Sequence, residues 1–243
     1  MTKDLNGKTV IVTGAGKGIG RATCLMLSGL GANVVAISRT ASDLESLKSE
    51  TGCETHTFDI ANSAELRNVV RGVTSADGLV NCAGINILEP FLEVTEEAFD
   101  LIYAINTKAA MVAAQEFSKT LIAANRGGAI VNVSSMSSFV GFADHTSYCA
   151  SKGAMDAMSR VMANELGPYG IRVNCINPIV TMTELAAEAW SDPVKSGPIL
   201  SRVPVGHFAE VDDIANLIVF LLSENSRMLN ATAIPVDGGF LSR

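Results

Sequence analysis

Residues 8–32 read KTVIVTGAGKGIGRATCLMLSGLGA, which is a short apolar strand, a turn crowded with glycine and an amphipathic helix in direct succession. The turn has the spacing T-G-x-x-x-G-x-G from Thr13 to Gly20. Glycine lets a backbone approach a pyrophosphate closely, and the N-terminus of a helix offers free N–H groups and a positive dipole end. This stretch therefore predicts a dinucleotide-binding opening. The alternative is a merely glycine-rich surface turn.

Outward from this stretch, strand and helix signals alternate along the chain, without a linker or a repeat. Further strands are predicted at 33–38, 54–60, 77–84 (ending in a turn), 128–135, 171–178 and 232–237, and helices at 41–49, 64–72, within 95–124, around Tyr148 and at 211–223. Apolar strands that alternate with helices favour a parallel sheet covered on both faces. We expect an α/β fold, a single Rossmann-type doubly wound parallel sheet of about seven strands, in one domain over residues 1–243.

The composition is that of a compact globular protein, and we expect it in the reduced cytoplasm. With 48% hydrophobic and 18% charged residues, the chain is able to bury a large core. A formal net charge of −7 disfavours nucleic acid or an anionic membrane as the main partner. The first residues lack an apolar signal region, and no apolar run is long enough to span a membrane. Five cysteines without C-x-x-C spacing indicate neither a disulfide framework nor a zinc site.

Three side chains with complementary chemistry lie within residues 135–152. Tyr148 and Lys152 are four residues apart in TSYCASKGAMDAM, so on a helix they share one face. A tyrosine phenol has a pKa of ~10, and a nearby ammonium favours the phenolate. Ser135, on the loop after a strand, could hydrogen-bond a substrate carbonyl oxygen while Tyr148 protonates it. An isolated Tyr-x-x-x-Lys is a weak signal, and the glycine turn upstream gives this one its weight.

These pieces occur in the order of a known family. They are TGAGKGIG at 13–20, Asp59 after the third strand, NCAG at 81–84, Asn106, Ser135, Tyr148-x-x-x-Lys152 and the run 178–183. The chain resembles a classical short-chain dehydrogenase/reductase from end to end. Stretches such as PFLEVTEEAFD and NELGPYGIRVN are similar to its tetrameric carbonyl reductase and L-xylulose (dicarbonyl) reductase branch.

The resemblance implies roles for single residues. Tyr148, Lys152 and Ser135 (rather than its neighbour Ser134) would be catalytic, with Asn106 positioning Lys152 through water. The residues that would hold the cofactor are Gly14, Lys17, Gly18, Ile19, Gly20, Ser38, Arg39, Thr40, Asp59, Ile60, Asn81, Ala83, Gly84, Tyr148, Lys152, Pro178, Val180, Thr181 and Thr183. Substrate would contact Ser135, Met136, His145, Tyr148 and Trp190, under a mobile lid around 179–204. For His145 the alternative is a solvated loop position, and no metal site is expected.

The end of the second strand indicates which coenzyme is used. An enzyme for NAD normally places a carboxylate there, which accepts from the ribose 2′-OH. This chain has Ser38-Arg39-Thr40 instead, and Lys17 in the glycine turn. Two cations suit a 2′-phosphate, which arginine binds in a forked geometry, so NADP(H) is predicted. Asp43 is interpreted as a helix cap, and the alternative for both cations is a solvated surface position.

We therefore expect an NADPH-dependent reductase that transfers hydride to a ketone carbonyl of the L-xylulose, ketose or α-dicarbonyl type, and catalyses the reverse alcohol oxidation. One alternative is an NAD(P)-dependent polyol or gluconate dehydrogenase, or a 3-oxoacyl reductase, of the same fold. Another is a non-enzymatic NADP-binding regulator. A hydrolase is disfavoured because no G-x-S-x-G elbow occurs.

The Tyr148 helix also predicts assembly. Its outer faces carry methionines and small residues but little charge, which is unusual for a helix that faces water. Phe240 and Leu241, near the C-terminus, are expected to be poorly covered in a monomer. The resemblance adds pairing through this helix and its neighbour, and through the C-terminal strand. We expect a homotetramer; the alternative is a single-subunit core that absorbs both surfaces.

Overall fold

A seven-stranded sheet organises the computed structural model, which describes residues 5–183, 186, 190 and 192–242. In chain order the strands are β1 (Thr9–Thr13), β2 (Asn33–Ser38), β3 (Glu54–Thr57), β4 (Ala76–Asn81), β5 (Gly128–Val133), β6 (Ile171–Pro178), β7 (Thr181–Met182), β8 (Ala209–Glu210) and β9 (Ala233–Val236). The sheet has the order β3-β2-β1-β4-β5-β6-β9 with parallel pairing throughout, and β7 pairs with β8 outside it. The predicted fold is confirmed.

Helices connect these strands and cover both faces of the sheet. They are α1 (Gly18–Gly29), α2 (Ala41–Thr51), α3 (Ser63–Gly72), α4 (Glu96–Tyr103), α5 (Ala109–Ala123), α6 (Thr146–Leu166), α7 (Pro193–Leu200) and α8 (Val211–Leu222). On β1, Val10 and Val12 pack in one core cluster with side chains of α1, α2 and α8. Ile11, between them, packs in the opposite cluster with α3, α5 and α6. None of the described helices is long and apolar enough to cross a membrane.

The strand order places the crevice for a ligand. Along the sheet the chain runs from β1 to β2 and β3 in one direction, then returns to place β4 on the other side of β1. At such a switch point the connections after neighbouring strands diverge, and a crevice opens at the carboxyl ends. Thr13, Asn81 and Ser135 all lie at or just after carboxyl ends of the central strands. The fold therefore gathers the predicted site residues at one edge.

Some local predictions were wrong. The cap of α2 is Thr40, so Asp43 lies inside the first turn and not at the cap. β3 ends at Thr57, three residues before the predicted end. Phe240 is fully buried, because Phe142 packs against it with a centroid distance of 6.3 Å and the Arg202 guanidinium lies 4.1 Å from its ring centroid. Only its neighbour Leu241 stays exposed.

Candidate active site

Two glycines allow the turn before α1 to reach its shape. Gly14 has a φ of +68°, and a Cβ atom there would come within 2.8 Å of the Ala83 backbone. Gly18 has a φ of +53°, and its Cβ atom would come within 2.8 Å of Thr183. A side chain at either position would meet both strain and a close neighbour. Gly14 and Gly18 therefore hold this turn against the NCAG turn and the segment after β6.

Thr13 fastens the glycine turn to the loop after β4. Its hydroxyl oxygen accepts hydrogen bonds from the backbone N–H of Cys82 at 3.1 Å and of Ala83 at 3.2 Å. Burial raises the pKa of the Cys82 thiol to about 11, against the opposing charge of Lys152, so this thiol is neutral near pH 7. Gly84 is exposed at the end of the same loop.

The first turn of α1 is open to an anion. It contains no acidic residue, and its N-cap residue, Lys17, makes no side-chain hydrogen bond to the helix. By contrast, the side chains of Asn62 and Thr95 accept from backbone N–H groups at the starts of α3 and α4. The N–H groups of the Gly18–Gly20 turn consequently remain available, at the positive end of the helix dipole. A pyrophosphate fits this end, and the residues present suit a dinucleotide.

The adenosine end of the crevice carries two exposed cations. Lys17 Nζ lies 3.7 Å from Asp43 Oδ2, and its side chain is 71% exposed. Arg39 is exposed, and among the described residues its side chain has no ion pair or hydrogen bond. Ser38 is half-buried and Thr40 exposed, so the strand end itself offers hydroxyls and no carboxylate. Asp43 reaches this region from the first turn of α2, a contact that the cap interpretation missed.

Asp59 and Asn81 are held by the protein in different ways. Asp59 is exposed, and its carboxylate accepts from the backbone N–H of Ala61 at 2.9 Å, while Ile60 beside it is buried. Asn81 is buried at the end of β4 and donates to Asn132 Oδ1 at 2.8 Å. The Asn81 side chain therefore ties β4 to β5, and its own Oδ1 is buried without a partner among the described residues.

Lys152 is fixed next to Tyr148. The Lys152 ammonium is buried and donates to the carbonyl oxygen of Val133 at 2.8 Å. It also lies 5.5 Å from the centroid of the Tyr148 ring, as expected for two residues one turn apart on α6. Tyr148 is half-buried, and the His145 ring stands edge-on to it with a centroid distance of 6.2 Å. The structure thus brings the predicted proton donor and its activator together.

Asn106 links the helix before α5 to the NCAG loop. It lies in a π-helical turn, Ala104–Lys108, and its side chain is fully buried. Its Oδ1 accepts from the backbone N–H of Ile85 at 2.8 Å, and its Nδ2 lies 2.9 Å from the Ile85 carbonyl and 3.1 Å from Ser151 Oγ. π-Turns are frequent at functional sites. Sequence reasoning found this residue only through the family resemblance, since an amide inside a helix carries no signal of its own.

The two adjacent serines after β5 have different surroundings. Ser134 is buried and donates its hydroxyl to the backbone carbonyl of Lys152 at 3.2 Å. Ser135 is half-buried, and its hydroxyl oxygen accepts from the backbone N–H of Ser137 at 3.1 Å. Among the described residues, nothing accepts the hydroxyl proton of Ser135. That proton is available to a ligand oxygen, and the proton of Ser134 is not.

The predicted substrate residues are distributed unevenly. Met136 is only 1% exposed, packed with Ile179, Val203 and Phe240, so it lies beneath the open surface of the site. His145 is half-buried and its Nδ1 lies 2.6 Å from the Ala143 carbonyl. The Trp190 ring packs edge-on against Phe208 with a centroid distance of 5.9 Å.

The predicted lid begins on firmly held backbone. Pro178 ends β6 beside Val236, and the carbonyl of Val180 accepts from the N–H of Ala209 at 3.3 Å. Thr181 pairs with Ala209 in the small second sheet, and Thr183 lies against Gly18. Residues 184, 185, 187–189 and 191 of the lid lie outside the described residues.

Known proteins resemble this chain over its whole length. A family model described as enoyl-(acyl carrier protein) reductase matches residues 14–241. The L-xylulose reductase of Mesocricetus auratus is 48% identical over 242 residues, 99% of each chain. The D-erythrulose reductase of Gallus gallus is 47% identical over 244 residues, again 99% of each. A solved structure of a putative 2-deoxy-D-gluconate 3-dehydrogenase from Agrobacterium tumefaciens with bound NADP is 32% identical, with a TM-score of 0.93 and coverage of 100% of this chain and 99% of that one.

Proposed function

Because this chain belongs to the short-chain dehydrogenase/reductase family, we propose that it reduces the ketone carbonyl of a ketose or an α-dicarbonyl with NADPH, and catalyses the reverse alcohol oxidation. As an oxidoreductase of CH–OH and C=O groups, it needs a donor for the oxygen that gains charge during reduction. The observation that carries the proposal is the free hydroxyl proton of Ser135, beside the helix of Tyr148 and Lys152. A ketone oxygen is a suitable acceptor for that proton.

Tyr148 is the general acid of this proposal. The Lys152 side-chain nitrogen lies 5.5 Å from the Tyr148 ring centroid, so a positive charge stands beside the phenol that donates the proton. Lys152 is kept in place by the hydrogen bond that it donates to Val133. An ammonium has three donors, so two remain for the ribose of a nicotinamide. Asn106 positions Lys152 indirectly, through the loop of Ile85 and through Ser151.

The residues present fit a nicotinamide dinucleotide across the carboxyl edge of the sheet. The bound nicotinamide supplies the hydride that the carbonyl carbon receives. The open first turn of α1 would hold the pyrophosphate, and Asp59 and Ile60 would border the adenosine half. The run from Pro178 to Thr183 would cover the other half, since Thr183 already lies against Gly18.

A preference for NADP rests on Lys17 and Arg39. Both side chains are exposed at the adenosine end, and Arg39 has no partner among the described residues. A 2′-phosphate would give both cations a partner. Lys17 would then bind the phosphate in place of its 3.7 Å contact with Asp43. Solved relatives with bound NADP, such as the Agrobacterium tumefaciens dehydrogenase, support this choice.

The relatives and the open side of the site support this substrate class. Two relatives are named as reductases of L-xylulose and of D-erythrulose, and both sugars are ketoses with hydroxyl groups beside the carbonyl. His145 and Trp190 would contact such a substrate, while Met136 and the buried side chains beneath it would set the depth of the pocket. An α-dicarbonyl shares the activated ketone and is the second member of the class.

The test is a substrate panel read by NADPH absorbance. Purified protein receives L-xylulose, D-erythrulose and diacetyl in one set, and D-gluconate with NADP, or a 3-oxoacyl thioester with NADPH, in the other. We expect turnover with the first set and at least tenfold lower kcat/KM for the second, roughly what one missing polar contact costs. Turnover confined to the second set would favour the gluconate or 3-oxoacyl alternative, which the dehydrogenase-type structural relative makes the leading competitor. NADPH binding with no turnover on either set would favour a non-enzymatic regulator.

We further propose a homotetramer of one-domain subunits in the reduced cytoplasm. The five cysteines are all free, which suits a reducing compartment. The outer face of α6 exposes the small or apolar residues Ala150, Ala157 and Val161, together with the charged Arg160. Met155, which was expected on an outer face, is instead fully buried in the core. Small residues let a second helix approach closely, and a self-complementary face gives a two-fold interface.

A further inference from the structure

A third ionisable residue shares the face of α6 that carries the proposed catalytic pair. Asp156 is four residues after Lys152 and eight after Tyr148, so the three lie along one side of the helix. Asp156 is 6% exposed and makes no ion pair among the described residues. Burial raises the pKa of the Cys175 thiol on β6, and the neighbouring Asp156 carboxylate raises it further through its charge and a side-chain hydrogen bond.

The Asp156 carboxylate is connected to the turn that begins with Ser135. Its Oδ2 accepts from Asn177 Nδ2 at 2.9 Å, at the end of β6. The same Nδ2 lies 2.8 Å from Ser138 Oγ and 3.2 Å from the backbone carbonyl of Ser135. Ser138 in turn donates to the Ser135 carbonyl at 2.9 Å. The Asn177 amide is therefore oriented from one side by Asp156 and holds the Ser135–Ser138 turn on the other.

If Asp156 and Asn177 served only to fill the core, their polar side chains would lower the stability of the folded protein. Among the described residues, Asp156 Oδ1 and Asn177 Oδ1 are both buried without a hydrogen-bond partner. A buried acceptor without a partner destabilises the folded state, and an apolar side chain at position 156 would avoid that destabilisation. What the carboxylate provides in return is a fixed orientation of the Asn177 amide, with its donor edge toward Ser135.

On the basis of the proposed function, we propose that Asp156 is a positioning residue that acts through Asn177 to set the backbone of Ser135. It does not touch substrate. Asp156 thereby holds the Ser135 hydroxyl where the hydroxyl proton can bond the carbonyl oxygen of the substrate. A displacement of such a group by about 1 Å lowers the rate by up to ~100-fold. The acceptor oxygen matters here, and an amide at position 156 supplies one too.

The experiment is a double-mutant cycle with Asp156→Leu and Ser135→Ala. We expect Asp156→Leu to lower kcat by about tenfold to 100-fold, with NADPH affinity unchanged, and Asp156→Asn to recover most of that loss. In the Ser135→Ala background, Asp156→Leu should change kcat less than about twofold, since the group that it positions is gone. An equal loss in both backgrounds would overturn the proposal, as would an Asn variant as impaired as the Leu variant.

Two further measurements separate this inference from folding and from the proposed function. Ser159→Ala is the matched control, because Ser159 is another buried polar residue of α6, hydrogen-bonded to Asn132 and Cys175. Among the described residues it makes no hydrogen bond to the Ser135–Ser138 turn, so the variant should have a lower melting temperature and an unchanged kcat. If the wild type turns over no carbonyl, the proposed function fails, and a crystal structure of Asp156→Leu still decides the inference. A displaced Ser135–Ser138 turn supports it, and an unmoved turn refutes it.

Discussion

At the scale of single residues, two adjacent serines show how the fold divides chemistry from structure. The Ser134 hydroxyl donates a hydrogen bond to the Lys152 carbonyl and so joins β5 to α6. The Ser135 hydroxyl oxygen accepts from the Ser137 N–H, and among the described residues its own proton has no acceptor. The spacing to Tyr148 selected Ser135 from the sequence only through the family resemblance. The hydrogen bonds supply an independent physical reason for the same choice.

Tyr148→Phe tests the general acid. We expect kcat to fall by ~10²–10⁴-fold, the usual contribution of general acid catalysis, because the ring remains and only the proton donor is removed. NADPH affinity, measured by fluorescence titration, should stay within about twofold, since the ring still packs beside Lys152. A variant with near-normal kcat would contradict the role of Tyr148.

Arg39→Asp tests coenzyme choice. A carboxylate repels a 2′-phosphate and accepts from a 2′-OH, so we expect the ratio of kcat/KM for NADPH to that for NADH to fall. The fall should be about tenfold to 100-fold, because a hydrogen bond to a charged group contributes about 1.5–3 kcal/mol. Lys48→Asp, the same charge change at an exposed position of α2, is the control. An unchanged ratio for Arg39→Asp would show that Arg39 is a solvated surface charge.

At the scale of elements, the sequence predicted those strands and turns that neighbouring residues along the chain specify. The glycine turn, β2 and β6 follow the sequence pattern closely, because apolar runs between turn residues specify them. The π-turn at Asn106 could not be predicted, because it depends on contacts with Ile85 and Ser151, which are distant along the chain. The burial of Phe240 could not be predicted for the same reason, since the side chains that cover it, Phe142 and Arg202, are distant along the chain.

A buried carboxylate joins α3 to α5. Glu116, with a side chain 3% exposed, accepts from Arg67 at 2.8 Å, Arg71 at 2.9 Å and Lys119 at 3.0 Å. Burial alone raises the pKa of this carboxyl, but the hydrogen bonds from Lys119, Arg71 and Arg67 outweigh it and lower the pKa to about 2. Because the folded pKa is below the ordinary value of 4.5, the stabilisation is complete above that value and is lost as the pH falls toward about 2.

Glu116→Gln tests this connection. At pH 7 we expect the variant to lose about 1–3 kcal/mol of unfolding free energy, because three cations lose a charged acceptor. Between pH 4.5 and about 2, the wild type should lose stability more steeply than the variant, which has no proton to take up at this position. Urea unfolding at several pH values measures both. Glu45→Gln, an exposed carboxylate on α2, is the control, and equal pH dependence in wild type and Glu116→Gln would contradict the expected role.

At the scale of the whole molecule, one edge of the sheet gathers the proposed chemistry while the outer helices are left with apolar surface. Phe99, Leu101 and Tyr103 on α4 are exposed, as is Val161 on α6. Aromatic and aliphatic side chains that remain exposed on neighbouring helices are typical of an interface. The C-terminal segment offers less apolar surface than the sequence indicated, because Phe240 is already buried within one subunit and Leu241 alone of the pair is exposed.

Light scattering coupled to size exclusion tests the tetramer. With a chain of 25.5 kDa, four copies give 4 × 25.5 = 102 kDa. Val161→Glu puts a charge on the exposed face of α6, where a two-fold axis would bring two copies of it together, so we expect its mass to fall to that of a dimer or a monomer. Ser49→Glu adds the same charge to the outer face of α2, at the far edge of the sheet, and should leave the mass unchanged. A wild-type protein of monomer mass at micromolar concentration would contradict the assembly, and a tetrameric Val161→Glu variant would remove α6 from its interfaces.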